Sequence, residues 1–237
     1  MSDLALHIEI TQDNLCKIIM DDNGIKINKF MTVDKFATIL NDALKEEKDK
    51  VEDKTGEISE IFVNDNIITT LQTKRFDNGS CWYMLLRNNV PANFIFKDVL
   101  YKNIGMPYTL FAIKVFQNKF IRMNICCTKT RYIDNNTKLY CYPFSNVSSS
   151  GSVCLGGNNL SCYDLSNFNN IKNIPEMFLM MPNSSHSYGN NNSGKEYIDL
   201  LESLKNNDFN NDYLKEMPVS YMDNNINTYG NFVKKIY

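Results

Sequence analysis

The residues of this chain best suited to chemistry are Cys154 and Asn146. They lie within the charge-free, turn-rich run Tyr142-Pro143-Phe144-Ser145-Asn146-Val147-Ser148-Ser149-Ser150-Gly151-Ser152-Val153-Cys154-Leu155. A cysteine thiolate attacks acyl donors readily, and the oxyanion formed on attack needs a hydrogen-bond donor aimed at it. An asparagine amide eight positions earlier supplies such a donor without carrying charge. His186 stands in a polar loop beyond the cysteine and is one of two histidines, the other being His7, so it is the candidate base. Each residue also has a plainer reading. Free cysteine is among the most buried residue types, and asparagine commonly hydrogen-bonds its own backbone in a turn.

The spacing of these residues resembles the active-site stretch of ubiquitin-conjugating enzymes. There a histidine-proline-asparagine tripeptide precedes the cysteine, and a glycine-x-isoleucine-cysteine-leucine run surrounds it. Asn146 matches the tripeptide's asparagine, and Gly151-Ser152-Val153-Cys154-Leu155 matches the run. Phe144-Ser145 replaces histidine-proline and Gly156-Gly157 replaces aspartate-isoleucine, which argues against a eukaryotic-type member. The stretch from Tyr142 to Gly156 is more similar to the prokaryotic ubiquitin-conjugating-enzyme-like family that includes PRTRC system protein B, in a likeness covering roughly residues 80 to 190.

The resemblance implies a carrier enzyme. Cys154 takes the C-terminal acyl group of a ubiquitin-like protein from a ThiF-type activating enzyme, holds it as a thioester and passes it to an amine. Asn146 stabilises the oxyanion or orients the loop, and Gly151 lets the backbone approach the acyl chain. Tyr142, Pro143 and Leu155 complete the active-site loop. Such a carrier needs no cofactor, because ATP is consumed by its activating partner. Two alternatives remain: an inert module of the same fold that binds a ubiquitin-like protein, and a hydrolase using Cys154 and His186.

With 237 residues, 43% of them hydrophobic, the chain can bury one sizeable core. A net charge of −2 gives no basic surface for nucleic acid, so the expected partners are proteins. The seven cysteines include the adjacent pair Cys126-Cys127 but no C-x-x-C spacing, so neither a disulfide framework nor a zinc site is expected. No leader pattern or membrane-length apolar run is visible, and a cytoplasmic, reduced setting is expected. Gly189-Asn190-Asn191-Asn192-Ser193-Gly194-Lys195-Glu196 nearly spells a phosphate-binding loop. Glu196 replaces the required hydroxyl residue, however, and no apolar strand precedes the run. The many asparagine clusters suggest no function.

These residues must be positioned by an α+β fold: a ubiquitin-conjugating-enzyme-like antiparallel meander packed on helices over 58–237, with a hairpin-and-helix elaboration over 1–57. Leu4 to Ile10 and Cys16 to Met20 read as a hairpin, Asn23-Gly24 is a strong turn signal, and 32–47 has helical spacing. The charged run 45–54 reads as a solvated helix end or loop. The meander is expected from 58–70, 81–87, 91–100, 109–116 and 120–127, the last two joined by Gln117-Asn118-Lys119. Beyond the cysteine, 166–173 reads as turns and 175–181 as a methionine-rich apolar patch suited to the core. Residues 194–206 read as a helix with Tyr197, Leu200, Leu201 and Leu204 on one face, and 221–237 has no clear pattern.

Overall fold

The computed structural model describes residues 5–10, 15–22, 25–33, 37, 58–59, 66–158, 160, 163–218 and 226–236. The chain divides into two compact units, Met1–Thr55 and Gly56–Tyr237. The first holds β1 (Ala5–Ile10), β2 (Leu15–Asp22) and β3 (Ile25–Thr32) in one antiparallel sheet of order β1-β2-β3. The expected hairpin is thus extended by a third strand, since β3 returns along β2 after Asn23-Gly24 with Asp22 opposite Ile25. The helix expected over 32–47 lies outside the described residues except for Val33 and Ala37, both helical. The charged run 45–54 lies outside them entirely.

The second unit is built on an antiparallel sheet of order β10-β9-β6-β5-β4, from β4 (Ile58–Ser59), β5 (Ile68–Arg75), β6 (Ser80–Arg87), β9 (Tyr108–Phe116) and β10 (Lys119–Thr128). Its central strands are apolar on both faces because both faces are covered. Leu85, Phe111, Ile113, Ile125 and Cys127 point into one core, and Trp82, Met84, Leu86, Leu110, Ala112 and Cys126 into the other. The β9–β10 turn needs only Gln117 and Asn118, both at positive φ (49° and 60°). That left-handed pair matches the twist of a two-residue hairpin.

Residues 91–100, expected within the meander, are not part of it. β6 pairs directly with β9, and the intervening chain forms its own hairpin, β7 (Ala92–Phe96) and β8 (Val99–Ile104), through positive-φ Lys97 and Asp98. This hairpin joins the short β11 (Pro182–Asn183), parallel to β7, in a second sheet of order β11-β7-β8. The hairpin is thereby tied to chain lying beyond the cysteine.

Among the described residues, three α-helices close these cores. α1 (Phe168–Leu179) arises where turns and an apolar patch are expected. Its apolar residues Ile171, Ile174, Pro175, Phe178 and Leu179 recur at i, i+3, i+4, i+7 and i+8 and are all buried, but asparagines and the interior proline disguise the stripe. Asn167 caps the helix by accepting from Asn169 N–H at 2.9 Å. Of the methionine-rich patch, Phe178 and Leu179 are core, Met177 and Met181 pack at its edge, and Met180 is exposed. α2 (Tyr197–Leu204) buries Tyr197, Leu200, Leu201 and Leu204, the face expected from its spacing. α3 (Tyr229–Ile236), unassigned by pattern, lays Tyr229, Phe232 and Ile236 over the Trp82 core.

Arg87 fixes the exit from β6. Its side chain is 1% exposed, and Nε donates to Glu176 Oε1 of α1 at 2.6 Å. Nη1 donates to the carbonyls of Val90 (2.7 Å) and Asn88 (3.2 Å), and Nη2 to that of Pro91 (3.3 Å). Arg87→Met strands these acceptors, although Glu176 is exposed enough to rehydrate. A loss of about 3 kcal/mol in unfolding free energy is expected from urea denaturation. Lys138→Met, which removes the exposed Lys138–Glu216 pair, is expected to cost less than about 1 kcal/mol.

Candidate active site

The chain around the cysteine is folded into a small hairpin held against β10. Val147 bridges Val153, Ser148 N–H donates to Ser152 O at 2.9 Å, and Gly151 N–H donates to Ser148 O at 2.9 Å. Gly151 has φ +84°, and a Cβ there would meet Ile125 O at 2.8 Å, so the hairpin lies directly on β10 at this residue. Ile125 N–H donates to Gly151 O at 2.8 Å, completing the contact. The missing side chain of Gly151 therefore makes room for β10. Gly151→Ala is expected to cost about 1–3 kcal/mol through left-handed strain and displacement of Ile125, measured as a lowered urea midpoint.

The turn-rich run 142–155 is not uniform in exposure, and its first half is buried. Tyr142, Pro143, Phe144, Ser145, Asn146 and Val147 all lie inside. The cause is aromatic packing: Phe144 lies 4.8 Å from Phe94 and 5.4 Å from Tyr142, centroid to centroid, and Tyr142 packs on Phe178. Burial pushes the Tyr142 hydroxyl well above its ordinary pKa. Leu155 is half-buried against the same core. Phe144, at the position of the histidine in the ubiquitin-conjugating tripeptide, is thus a core residue. Ser145, at the position of its proline, lies 3.2 Å from the Tyr197 hydroxyl, which burial pushes up to about 12.

Cys154 emerges from this buried segment into solvent. It is exposed, whereas Cys81, Cys126, Cys127 and Cys141 are buried. Burial raises the pKa of all four enclosed thiols and so suppresses their thiolates. Cys16 lies on β2, where only the strand pairing is described, and Cys162 lies outside the described residues.

The three residues expected to act together are joined through their main chains. Cys154 N–H donates to Asn146 O at 2.8 Å, and Asn146 N–H donates to His186 O at 2.7 Å. Asn146 has φ 65°, a left-handed conformation that asparagine accepts more readily than most residues. Its carboxamide meets β11: Nδ2 donates to Asn183 Oδ1 at 2.8 Å, and Oδ1 accepts from Ser184 Oγ at 3.4 Å. Among the described residues no hydrogen bond joins this carboxamide to the Cys154 thiol. Nδ2 carries a second hydrogen, however, so the bond to Asn183 does not exhaust its donor capacity. His186 is exposed in the turn that follows, and its main chain braces Asn146.

The asparagines that follow His186 brace the same assembly. Asn190 Nδ2 donates to Val147 O at 3.2 Å, Asn191 Nδ2 to Pro143 O at 3.0 Å, and Asn192 Nδ2 to Leu214 O at 3.1 Å. Carboxamides can satisfy irregular backbone wherever ladder bonds are absent. Asn183 and this trio are the site residues that sequence reasoning missed. The phosphate-loop likeness at 189–196 is an asparagine-rich strap instead. Among the described residues, no group of three or more His, Cys, Asp or Glu side chains is placed to hold a metal, and no helix is long and apolar enough to cross a membrane.

A family model, described as prokaryotic E2 family D, matches residues 49–219, a span that contains Asn146, Cys154 and His186 and well over half of the chain. The match is to family D and carries no finer likeness to PRTRC system protein B. No curated protein and no solved structure matches the chain.

Proposed function

We propose that this chain, which belongs to prokaryotic E2 family D, is the thioester carrier of a ubiquitin-like conjugation pathway. The family places it in ubiquitin-like conjugation, among proteins that meet a ubiquitin-like protein and its activating enzyme. The finer reading is carried by one observation: Cys154 is exposed while the other four cysteines with described surroundings are buried.

In this reading the Cys154 thiolate attacks the activated C-terminal carbonyl of the ubiquitin-like protein, held as a thioester on a ThiF-type activating enzyme. The carbon–sulfur bond to Cys154 forms, the bond to the donor sulfur breaks, and the donor thiolate takes up a proton. The second Nδ2 hydrogen of Asn146 serves the oxyanion. An acceptor amine then attacks the thioester carbonyl; the carbon–nitrogen bond forms, the carbon–sulfur bond to Cys154 breaks, and the proton lost by the amine goes to the departing thiolate or to water, leaving an amide. Exchange between two thioesters is nearly thermoneutral, so an exposed thiol and a donor suffice without a cysteine–histidine–acid set. A cytoplasmic, reduced setting keeps the thiol free.

The test mixes the protein with the activating enzyme, ATP and the ubiquitin-like protein, then compares non-reducing and reducing gels. A thiol-sensitive adduct of the two chains supports the carrier. Stable binding without an adduct makes this fold an inert docking module, and cleavage of a preformed conjugate makes it a hydrolase using Cys154 and His186.

A further inference from the structure

We infer that Asn183 is a positioning residue for the reaction at Cys154, fixing which end of the Asn146 carboxamide is turned toward the acyl group. The inference rests on the carrier reading above. An asparagine amide has a donor end and an acceptor end of nearly the same shape, and only the donor end helps an oxyanion. The neighbours of Asn146 must therefore break that degeneracy.

Asn183 does so because its own orientation is dictated by an unambiguous acceptor. Its Nδ2 donates to the Met181 carbonyl at 3.0 Å, which turns Oδ1 toward Asn146. A carbonyl oxygen only accepts, so Asn146 must answer with Nδ2–H, at 2.8 Å. Ser184 Oγ donates to Asn146 Oδ1 at 3.4 Å, and Ser145 Oγ adds a second, longer contact to Asn183 Oδ1, also at 3.4 Å. Flipping either amide sets oxygen against oxygen or hydrogen against hydrogen. Both side chains are buried, Asn183 at 8% exposed and Asn146 at 9%, so water is a poor substitute for the missing partner. The backbone of Asn183 is held by the parallel pairing of Pro182 and Asn183 with Ile95 and Phe96, which links the β7–β8 hairpin to the active site.

The experiment follows charging of the wild-type protein and of Asn183→Ala, Asn183→Asp, Asn146→Gly and the Asn183→Ala/Asn146→Gly double variant, over a range of ubiquitin-like protein concentrations. Asn183→Ala is expected to lower the saturating rate by about tenfold or more, with the half-saturating concentration unchanged. The double variant is expected to charge no more slowly than Asn146→Gly alone. Asn183→Asp is the discriminating variant. Protonated or ionised, its carboxyl still accepts from Asn146 N–H, so it keeps the contact that orients the Asn146 amide, which alanine removes. Its saturating rate is therefore expected to stay well above that of Asn183→Ala.

A wild-type rate in Asn183→Ala, an additive double variant, or an Asn183→Asp rate no higher than that of Asn183→Ala overturns the inference and leaves the carrier reading intact. Absence of any wild-type adduct overturns both. Should Asn183→Ala fail to fold, Asn183→Leu, which nearly keeps the volume and removes the acceptor, decides. It is expected to lose saturating rate as Asn183→Ala does, and a wild-type rate in Asn183→Leu overturns the inference.

Discussion

Cys154→Ala is expected to abolish the adduct with the ubiquitin-like protein completely, and Cys154→Ser to give a slower-forming adduct that survives excess thiol but is cleaved by alkali. The difference follows from the bond formed. A thioester exchanges with any added thiol, whereas the oxygen ester made by serine does not, and the serine hydroxyl is the weaker nucleophile. None of the four buried cysteines can substitute. Cys126 and Cys127 are enclosed between β10 and the two cores, and the Cys141 thiol contacts the carbonyls of Ser149 and Glu216. A thiol-sensitive adduct persisting in Cys154→Ala would shift the carrier role to Cys16 or Cys162. Intact-mass measurement of the adduct, before and after thiol treatment, checks each outcome.

The second large effect is expected at Asn146. Its backbone occupies left-handed space at φ 65°, so alanine would confound conformational strain with loss of the amide. Glycine adopts that conformation freely and removes only the carboxamide. Asn146→Gly is expected to slow thioester formation by about 10²–10³-fold, the usual consequence of losing one oxyanion donor. The same change should cost about 1–2 kcal/mol of stability, because Asn183 Oδ1 loses its closest donor. Rapid-quench charging assays and urea denaturation read the two quantities separately. If the amide serves only to lock the loop, stability falls while the charging rate of the folded fraction stays at the wild-type value.

The strands were legible in the sequence because the central sheet is buried on both faces. Runs such as Cys81 to Leu86 and Leu110 to Ile113 are apolar without interruption and read as core. α2 was legible for a related reason, its stripe from Tyr197 to Leu204 being uninterrupted by asparagine or proline. α1 was not. Pro175 suits a helix interior poorly by intrinsic propensity, and it is tolerated because the stripe it belongs to is buried against the sheet. The departure of the β7–β8 hairpin from the meander was also hidden, since strand pattern reports which face is apolar but not which neighbour is paired.

For the site, the sequence alone singled out the candidate nucleophile and its companion: an asparagine, a glycine and a cysteine at fixed spacing along one short stretch, a local property that needs no fold to be read. Tertiary structure decided the rest. It buried Phe144 and exposed Cys154 within the same loop, turned the Asn146 amide onto Asn183, and gave the asparagines at 190–192 their task of bracing irregular backbone. Those contacts join residues some 40 positions apart, such as Asn146 with Asn183 and Pro143 with Asn191. A carboxamide finds its partner only after the chain has closed around it, because its hydrogen-bonding capacity is the same at every position and its geometry is not.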